Sequence, residues 1–281
     1  MNEVKWGSYS FKTYFRPGLY LDDFNLKRLY RSIIEINNTS KKKVNIRYLQ
    51  LEDIDEIKSF LSHIIVSIVH TRGKDISFLM NYIIEDGDVN ILHVGIMIAN
   101  SYTGNEAMAM MACFNKLEYF KQHKCFYTTN ISATPAAIEA FDKISRKVWP
   151  SPKSQIKKPP KDYINVVKLL EEFYIKKWFQ DPTECNIDPY RFVLKSPCKK
   201  MGFKTNMFQM SRANNIEYQN FCNSLIDYEN EEDLVQVSTS GYLELIKTYL
   251  LTNLYLVLKK PPRFYEEEAT IGDENDLSKI A

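Results

Sequence analysis

The chain has 281 residues, 44% of them hydrophobic and 13% aromatic, enough to bury the core of one large domain or two small ones. Its formal net charge of +2 supplies no global field of the kind that draws nucleic acid, so no nucleic-acid partner is expected. Five cysteines without Cys-x-x-Cys spacing and four scattered histidines argue against a zinc site, so no metal is expected, and the odd cysteine count predicts a reducing, cytoplasmic compartment.

Residues 1–43 read as an N-terminal helical extension, with Phe24, Leu26, Leu29, Tyr30, Ile33, Ile34 and Ile36 making an amphipathic pattern and Asn37–Lys43 a polar link. The triplet Lys41-Lys42-Lys43 reads as solvated. Ile57–Val69 and Ile76–Ile84 read as helical or buried, separated by the turn signal Arg72-Gly73-Lys74 and closed by Glu85-Asp86-Gly87-Asp88. Ile91–Ala99 is short and apolar on nearly every residue, which predicts a strand buried on both faces. A polar turn at Asn100–Glu106 leads into helix formers over Ala107–Phe120. A strand feeding a helix in this way leaves N–H groups that suit an anion. Lys124–Ser132 is rich in β-branched and aromatic residues and predicts a second strand. Thr134-Pro135 then opens a helix through Ile144, with an N-cap hydroxyl and Ile138, Phe141, Ile144 and Val148 on one buried face.

The arrangement over residues 44–150 resembles the acyl-CoA N-acyltransferase superfamily, the GNAT fold. Thr134, Ala137 and Phe141 stand where that family carries an Asn-x-x-Ala-x-x-x-Tyr-like motif, and Val44–Leu51 with Glu52–Ile57 looks like its opening strand and first helix. The family's hairpin of two strands has little room between Ile57 and Asp88: Ile76–Ile84 can supply one strand, and the other has no clear place. The family's cofactor loop commonly reads Arg/Gln-x-x-Gly-x-Gly/Ala; here those positions are Thr103, Glu106 and Met108, and only Gly104, after Tyr102, stands where a loop glycine commonly falls.

After Trp149-Pro150-Ser151-Pro152, Lys153–Lys161 is a proline- and lysine-rich connector. Tyr163–Phe179 predicts a helix with a broad apolar face, 182–203 is loop-rich, Tyr218–Leu225 is a short helix and Leu234–Thr239 a strand. Tyr242–Leu258 is the most apolar stretch, but Glu244, Lys247 and Asn253 interrupt it, so it reads as a buried terminal element and no transmembrane segment is expected. The tail after Pro261 is polar and acidic. This divides the chain into an extension at 1–43, a GNAT-like domain at 44–152, an α+β C-terminal extension packing on the sheet at 153–260, and a polar tail at 261–281.

Acyl transfer from a thioester to an amine needs a grip on the donor, a proton acceptor for the amine and a proton donor for the departing thiolate. The resemblance implies a grip by backbone N–H groups of Tyr102, Thr103, Gly104, Asn105 and Ala107 on the diphosphate, with Ile96 and Ile98 pairing the pantetheine arm. His93 is the candidate base, open to the alternative of a satisfied core histidine. Glu85, Asp86 and Asp88 precede its strand and read first as a solvated turn. Phe141 at the family's tyrosine position cannot donate a proton, so Tyr127 is the candidate acid and Asn130 a hydrogen-bond donor to the substrate carbonyl, with packing and turn-capping as their ordinary roles.

The expectation is an α/β protein with a GNAT-like mixed, mostly antiparallel sheet flanked by helices, transferring an acyl group from acetyl-CoA or a longer acyl-CoA to a small-molecule or peptide amine. The alternative is a catalytically inactive GNAT-like binding or interaction module, and oligomeric state is left open.

Overall fold

The computed structural model describes residues 1–40, 43–99, 104–154, 158–179, 185–195 and 212–258, without the side chains of residues 99, 104–106, 255 and 258. The described strands are β1 (Asn2–Trp6), β2 (Tyr9–Phe15), β3 (Ile64–Thr71), β4 (Lys74–Asp86), β5 (Val89–Ala99), β6 (Phe126–Ser132), β7 (Arg146–Trp149), β8 (Asn186–Asp188), β9 (Val193–Lys195) and β10 (Glu232–Ser240). They form one sheet in the order β1-β2-β3-β4-β5-β6-β10-β9-β8, with β7 also pairing β10. Every pairing is antiparallel except that of β5 with β6. The protein is therefore α/β, with a mixed, mostly antiparallel sheet between helices.

One face is covered by α1 (Asp23–Thr39), α2 (Ile54–Leu61) and α5, which runs Lys161–Leu170, widens into a π-helical turn at Glu171–Ile175 and closes with Lys176–Trp178. Leu26, Ile33, Val167, Leu170 and Tyr174 from these helices pack on Val66, Phe78, Met80, Ile91, Val235 and Val237. The other face carries α3 (Gly104–Phe120), whose Ala107, Met110, Met111 and Phe114 meet Phe11, Val69, Ile76 and Leu79. Beyond it lie α4 (Pro135–Ile144) and α6 (Ile216–Leu225), joined through Ile138, Tyr218, Cys222 and Leu234. The last helix, α7 (Tyr242–Leu258), lies on α3.

Several expectations are corrected. Residues 1–43 are more than a helical extension, because β1 and β2 extend the sheet past β3 and bring Trp6, Tyr9 and Phe11 into its core. Ile76–Ile84 is the strand it could supply, within Lys74–Asp86, and its missing partner is Ile64–Thr71, which is not helical. The two form the hairpin, turning at Arg72 and Gly73, whose φ values of 47° and 79° suit the twist of a two-residue hairpin. Both strands are buried on both faces along most of their length, which erases the alternation that marks a half-buried strand.

The opening strand expected at 44–51 is absent. Val44 spends its backbone bonds on the Asn37 side chain, its N–H on Oδ1 and its carbonyl on Nδ2, both at 2.9 Å, and Arg47–Leu49 form a 3₁₀ turn instead. Tyr30 then anchors the segment, its hydroxyl donating to the Tyr48 carbonyl at 3.1 Å and accepting from the Leu51 N–H at 2.8 Å. Thr134 stands at the start of α4 without a side-chain capping bond, Ile144 is exposed, and Val148 belongs to β7. The element Tyr242–Leu258 is helical but not buried as a whole.

Candidate functional site at the parting of two strands

The parallel pairing of β5 and β6 runs from Ile91 opposite Tyr127 to Val94 opposite Asn130 and stops, although both strands continue. The cause is a bulge in β5. Leu79 of β4 faces Met97 and Asn81 faces Val94, so Gly95 and Ile96 together oppose Met80. A bulge bends its strand and sharpens the local twist. Gly95 is required there, since a Cβ would sit 2.8 Å from the Met80 carbonyl oxygen. Beyond the bulge, Met97–Ala99 pairs with β4 on one side, and among the described residues no strand pairs with Gly95–Ala99 on the other. β6 is paired on its other edge with β10 along its whole length, from Phe126 opposite Ser240 to Ser132 opposite Leu234.

A buried polar track holds the bulge from the α3 side. The Asn115 amide donates to Asn81 Oδ1 at 2.7 Å and to the Leu79 carbonyl at 3.3 Å, and its oxygen accepts from the Ser67 hydroxyl at 2.6 Å. Thr13 continues the track at 2.6 Å from Ser67. Asn81 reaches the His93 carbonyl at 3.4 Å. Sequence reasoning passed over Asn115, although an asparagine between Phe114 and Lys116 on an apolar helix face is a signal that the sheet beneath has backbone groups to satisfy.

His93 is the last inward-facing residue before the bulge and is 2% exposed. Its Nδ1 lies 2.9 Å from Thr129 Oγ1, and its ring stands 4.4 Å from that of Tyr174, within the π-helical turn of α5. Burial pulls its pKa down to about 3, so the imidazole is neutral. Tyr127 lies on the same face as His93, two residues along β6 from Thr129. Its half-buried hydroxyl donates to Asp162 Oδ2 at 3.0 Å, at the start of α5. Burial first, then that hydrogen bond and the Asp162 charge, raise the phenol's pKa, so it keeps its proton. Asn130 falls on the opposite face, where its amide donates to Gln236 Oε1 at 3.3 Å. The structure thus brings His93 and Tyr127 to one face and sends Asn130 to the other.

Of the residues expected to grip a cofactor, Ile96 and Ile98 lie on β5 past the bulge with their side chains packed in the core under α1 and α5. Tyr102 and Thr103 lie outside the described residues; Gly104 and Asn105 form the first turn of α3, and the Asn105 side chain is not described. Ala107 is buried against the sheet. The first N–H groups of α3, a helix of 17 residues, open a few residues beyond the end of β5.

At this same end of the sheet, the β3–β4 hairpin carries a pair that sequence reasoning did not single out. His70 Nδ1 lies 2.8 Å from Asp75 Oδ1, and the Ser32 hydroxyl of α1 donates to the other carboxylate oxygen. Both members of the pair are about one-third exposed. With Nδ1 on a carboxylate that Ser32 also holds, Nε2 is the ring nitrogen that would accept a proton. The Arg72-Gly73 turn places positions 70 and 75 opposite each other, so the pair was legible once the hairpin was read. Among the described residues no group of three or more His, Cys, Asp and Glu side chains is placed to hold a metal ion, and no helix is long and apolar enough to cross a membrane.

No family model matches the chain, and no curated protein matches it. Among solved structures it is similar to an acetyltransferase of the GNAT family from Streptococcus pneumoniae, at 14% identity over 47% of this chain and 82% of that one, with a TM-score of 0.34. It is similar also to RimL, a ribosomal L7/L12 alpha-N-protein acetyltransferase in complex with coenzyme A, at 9% identity over 46% and 74% of the two chains, TM-score 0.30. A third, an acetyltransferase from Clostridium difficile 630 described as possible, shares 10% identity over 41% and 70%, TM-score 0.23. At TM-scores this low the overlap carries no conclusion about activity.

Proposed function

We propose that the protein is an acyl-CoA-dependent N-acyltransferase whose donor lies in the gap between β5 and β6. The observation that carries this reading is the parting itself: a bulged strand leaves Gly95–Ala99 without a strand partner on its β6 side among the described residues, and a helix begins at Gly104, five residues after Ala99. An extended amide-bearing arm such as pantetheine can pair with such an edge as an added strand would, along Ile96 and Ile98. Its diphosphate would meet the backbone N–H groups of Tyr102, Thr103, Gly104, Asn105 and Ala107. Backbone groups supply this grip, so it survives the replacement of the family's basic and glycine positions, while Glu106 opposes it.

In the reaction the amine nitrogen attacks the thioester carbon, the C–S bond breaks, and coenzyme A leaves as the thiolate. In this reading Tyr127, which keeps its proton beside Asp162, is the donor to that thiolate. It stands opposite Ile91, three residues before the strands part, so the thioester has to reach back along the face Tyr127 shares with His93. His93 is too enclosed to take the amine's proton directly; in this reading it shapes the apex of the gap, and His70 held by Asp75 is the exposed acceptor. The donor is acetyl-CoA or a longer acyl-CoA, and the acceptor a small-molecule or peptide amine. Free coenzyme A release from acetyl-, octanoyl- and palmitoyl-CoA against a panel of amines tests this; the expected result is amine-dependent thiol release, lowered at least tenfold by Tyr127→Phe.

A second reading, a binding module without turnover, is favoured by one observation: His93, Tyr127 and Asn130 are each already hydrogen-bonded within the protein. It predicts acyl-CoA binding or none, and no thiol release with any amine.

A further inference from the structure

α7 buries polar side chains beside Leu245 and Leu256 and turns most of its described apolar side chains outward. Toward α3 it turns Glu244, Thr248 and Thr252, all buried; the Glu244 carboxylate accepts from the Gly241 N–H at 3.0 Å and pairs with Arg146 at 3.3 Å, and the Thr252 hydroxyl donates to the Thr248 carbonyl at 2.7 Å. Outward it presents Leu243, Ile246, Leu250, Asn253 and Val257, spaced three, four, three and four residues apart. This is the a/d spacing of a helix seam that meets another helix. Tyr242, Tyr249 and Leu254 flank the seam, and every apolar member of seam and flanks is between 52% and 79% exposed.

With about 200 Å² for a large side chain, these exposed fractions amount to roughly 800 Å² of apolar surface. Exposed apolar patches on monomers rarely exceed a few hundred Å², and about 800 Å² is what each partner contributes to a stable interface. We infer that α7 pairs with α7 of a second copy, the two seams interlocking about a two-fold axis. Each copy carries the same uncharged stripe with tyrosines at its margin, which is the composition of an interface core, and an isologous contact needs only self-complementarity.

Other occupants fit less well. The sequence after α7 carries Glu266, Glu267, Glu268, Asp273, Glu274 and Asp276 among scattered apolar residues, Phe264, Tyr265, Ile271, Leu277 and Ile280, and so has no uncharged apolar stripe to match the seam. A helix lying on a membrane carries basic residues along its polar face; α7 has Lys247 alone, which donates to the Lys143 carbonyl at 3.4 Å, and its polar face is spent on α3.

The test is sedimentation equilibrium of the full chain from about 1 to 100 μM, beside the double variant Ile246→Glu, Leu250→Glu and the single variant Asn253→Leu, with flotation on neutral and anionic phospholipid vesicles. The expected mass for wild type is twice the 33.0 kDa chain, about 66 kDa. The double variant should run as a monomer with unchanged circular dichroism, and Asn253→Leu should tighten association or admit larger species, because a lone seam asparagine restricts register. A wild type that is monomeric throughout, a double variant that stays dimeric, or wild type that floats with vesicles in place of self-association would each overturn the inference. If the double variant misfolds, Ile246→Ser and Leu250→Ser singly decide the matter by the same measurement.

Discussion

α5 and α7 are similar as sequences and opposite as structures. Each is a helix of the C-terminal half with a broad apolar stripe. α5 lays Tyr163, Val166, Val167, Leu170, Tyr174 and Trp178 on the sheet, where all are buried. α7 buries its carboxylate and threonines, packs Leu245 and Leu256 on the core, and leaves Tyr242, Leu243, Ile246, Tyr249, Leu250, Leu254 and Val257 outside. An apolar stripe declares that a helix has a partner; it does not declare that the partner is in the same chain.

The largest effect that sharpens this contrast is expected in α5. Leu170→Ala should cost about 2–5 kcal/mol in urea unfolding, since it opens a void in a fully packed core. The same substitution at Leu254, exposed on α7, should cost less than about 0.5 kcal/mol in the monomeric double-variant background. Equal losses at the two positions would erase the distinction.

Next comes the imidazole on which α5 rests. His93 has a folded pKa of about 3 against about 6.5 in an unfolded chain, so the unfolded state takes up the proton first as pH falls. Its contribution to stability is present above pH 6.5 and is lost toward pH 3, at roughly 1.4 kcal/mol per pH unit. Urea unfolding at intervals between pH 7 and 4 should show this slope in wild type and a shallower one in His93→Gln; identical slopes would mean that the ring titrates freely.

Smaller losses, of about 1–3 kcal/mol each, are expected at the bulge. Asn115→Leu leaves Ser67 and Asn81 short of a partner. Gly95→Ala forces a methyl against the Met80 carbonyl. Thermal melts measure both losses, and a neutral Gly95→Ala would mean that β5 does not approach β4 so closely.

These contrasts also show what the sequence could declare. Val89–Ala99, the helix after it, Phe126–Ser132 and Pro135–Ile144 were legible because periodicity, β-branched runs and a first-turn proline agreed with the fold. The β3–β4 hairpin was not, since strands buried on both faces lose the alternation of period two, and the positive-φ pair Arg72-Gly73 was the better guide. Residues 44–51 misled because Asn37, seven residues away, takes the backbone bonds of Val44 that a strand would have used. At the candidate site, His93 and Tyr127 were found as residue types on strands, but their partners Tyr174 and Asp162 come from a helix more than thirty residues away in sequence. That Asn130 and Tyr127, three residues apart on one strand, take opposite faces follows from alternation and was legible; which of them shares a face with His93 depended on register.

The most direct measurement is amide hydrogen exchange of the full chain with and without millimolar acetyl-CoA or palmitoyl-CoA. The account predicts slower exchange confined to residues 96–99 and 102–107, where the donor would add a strand to β5 and fill the start of α3. Unchanged exchange there with both thioesters, or protection elsewhere alone, would contradict it.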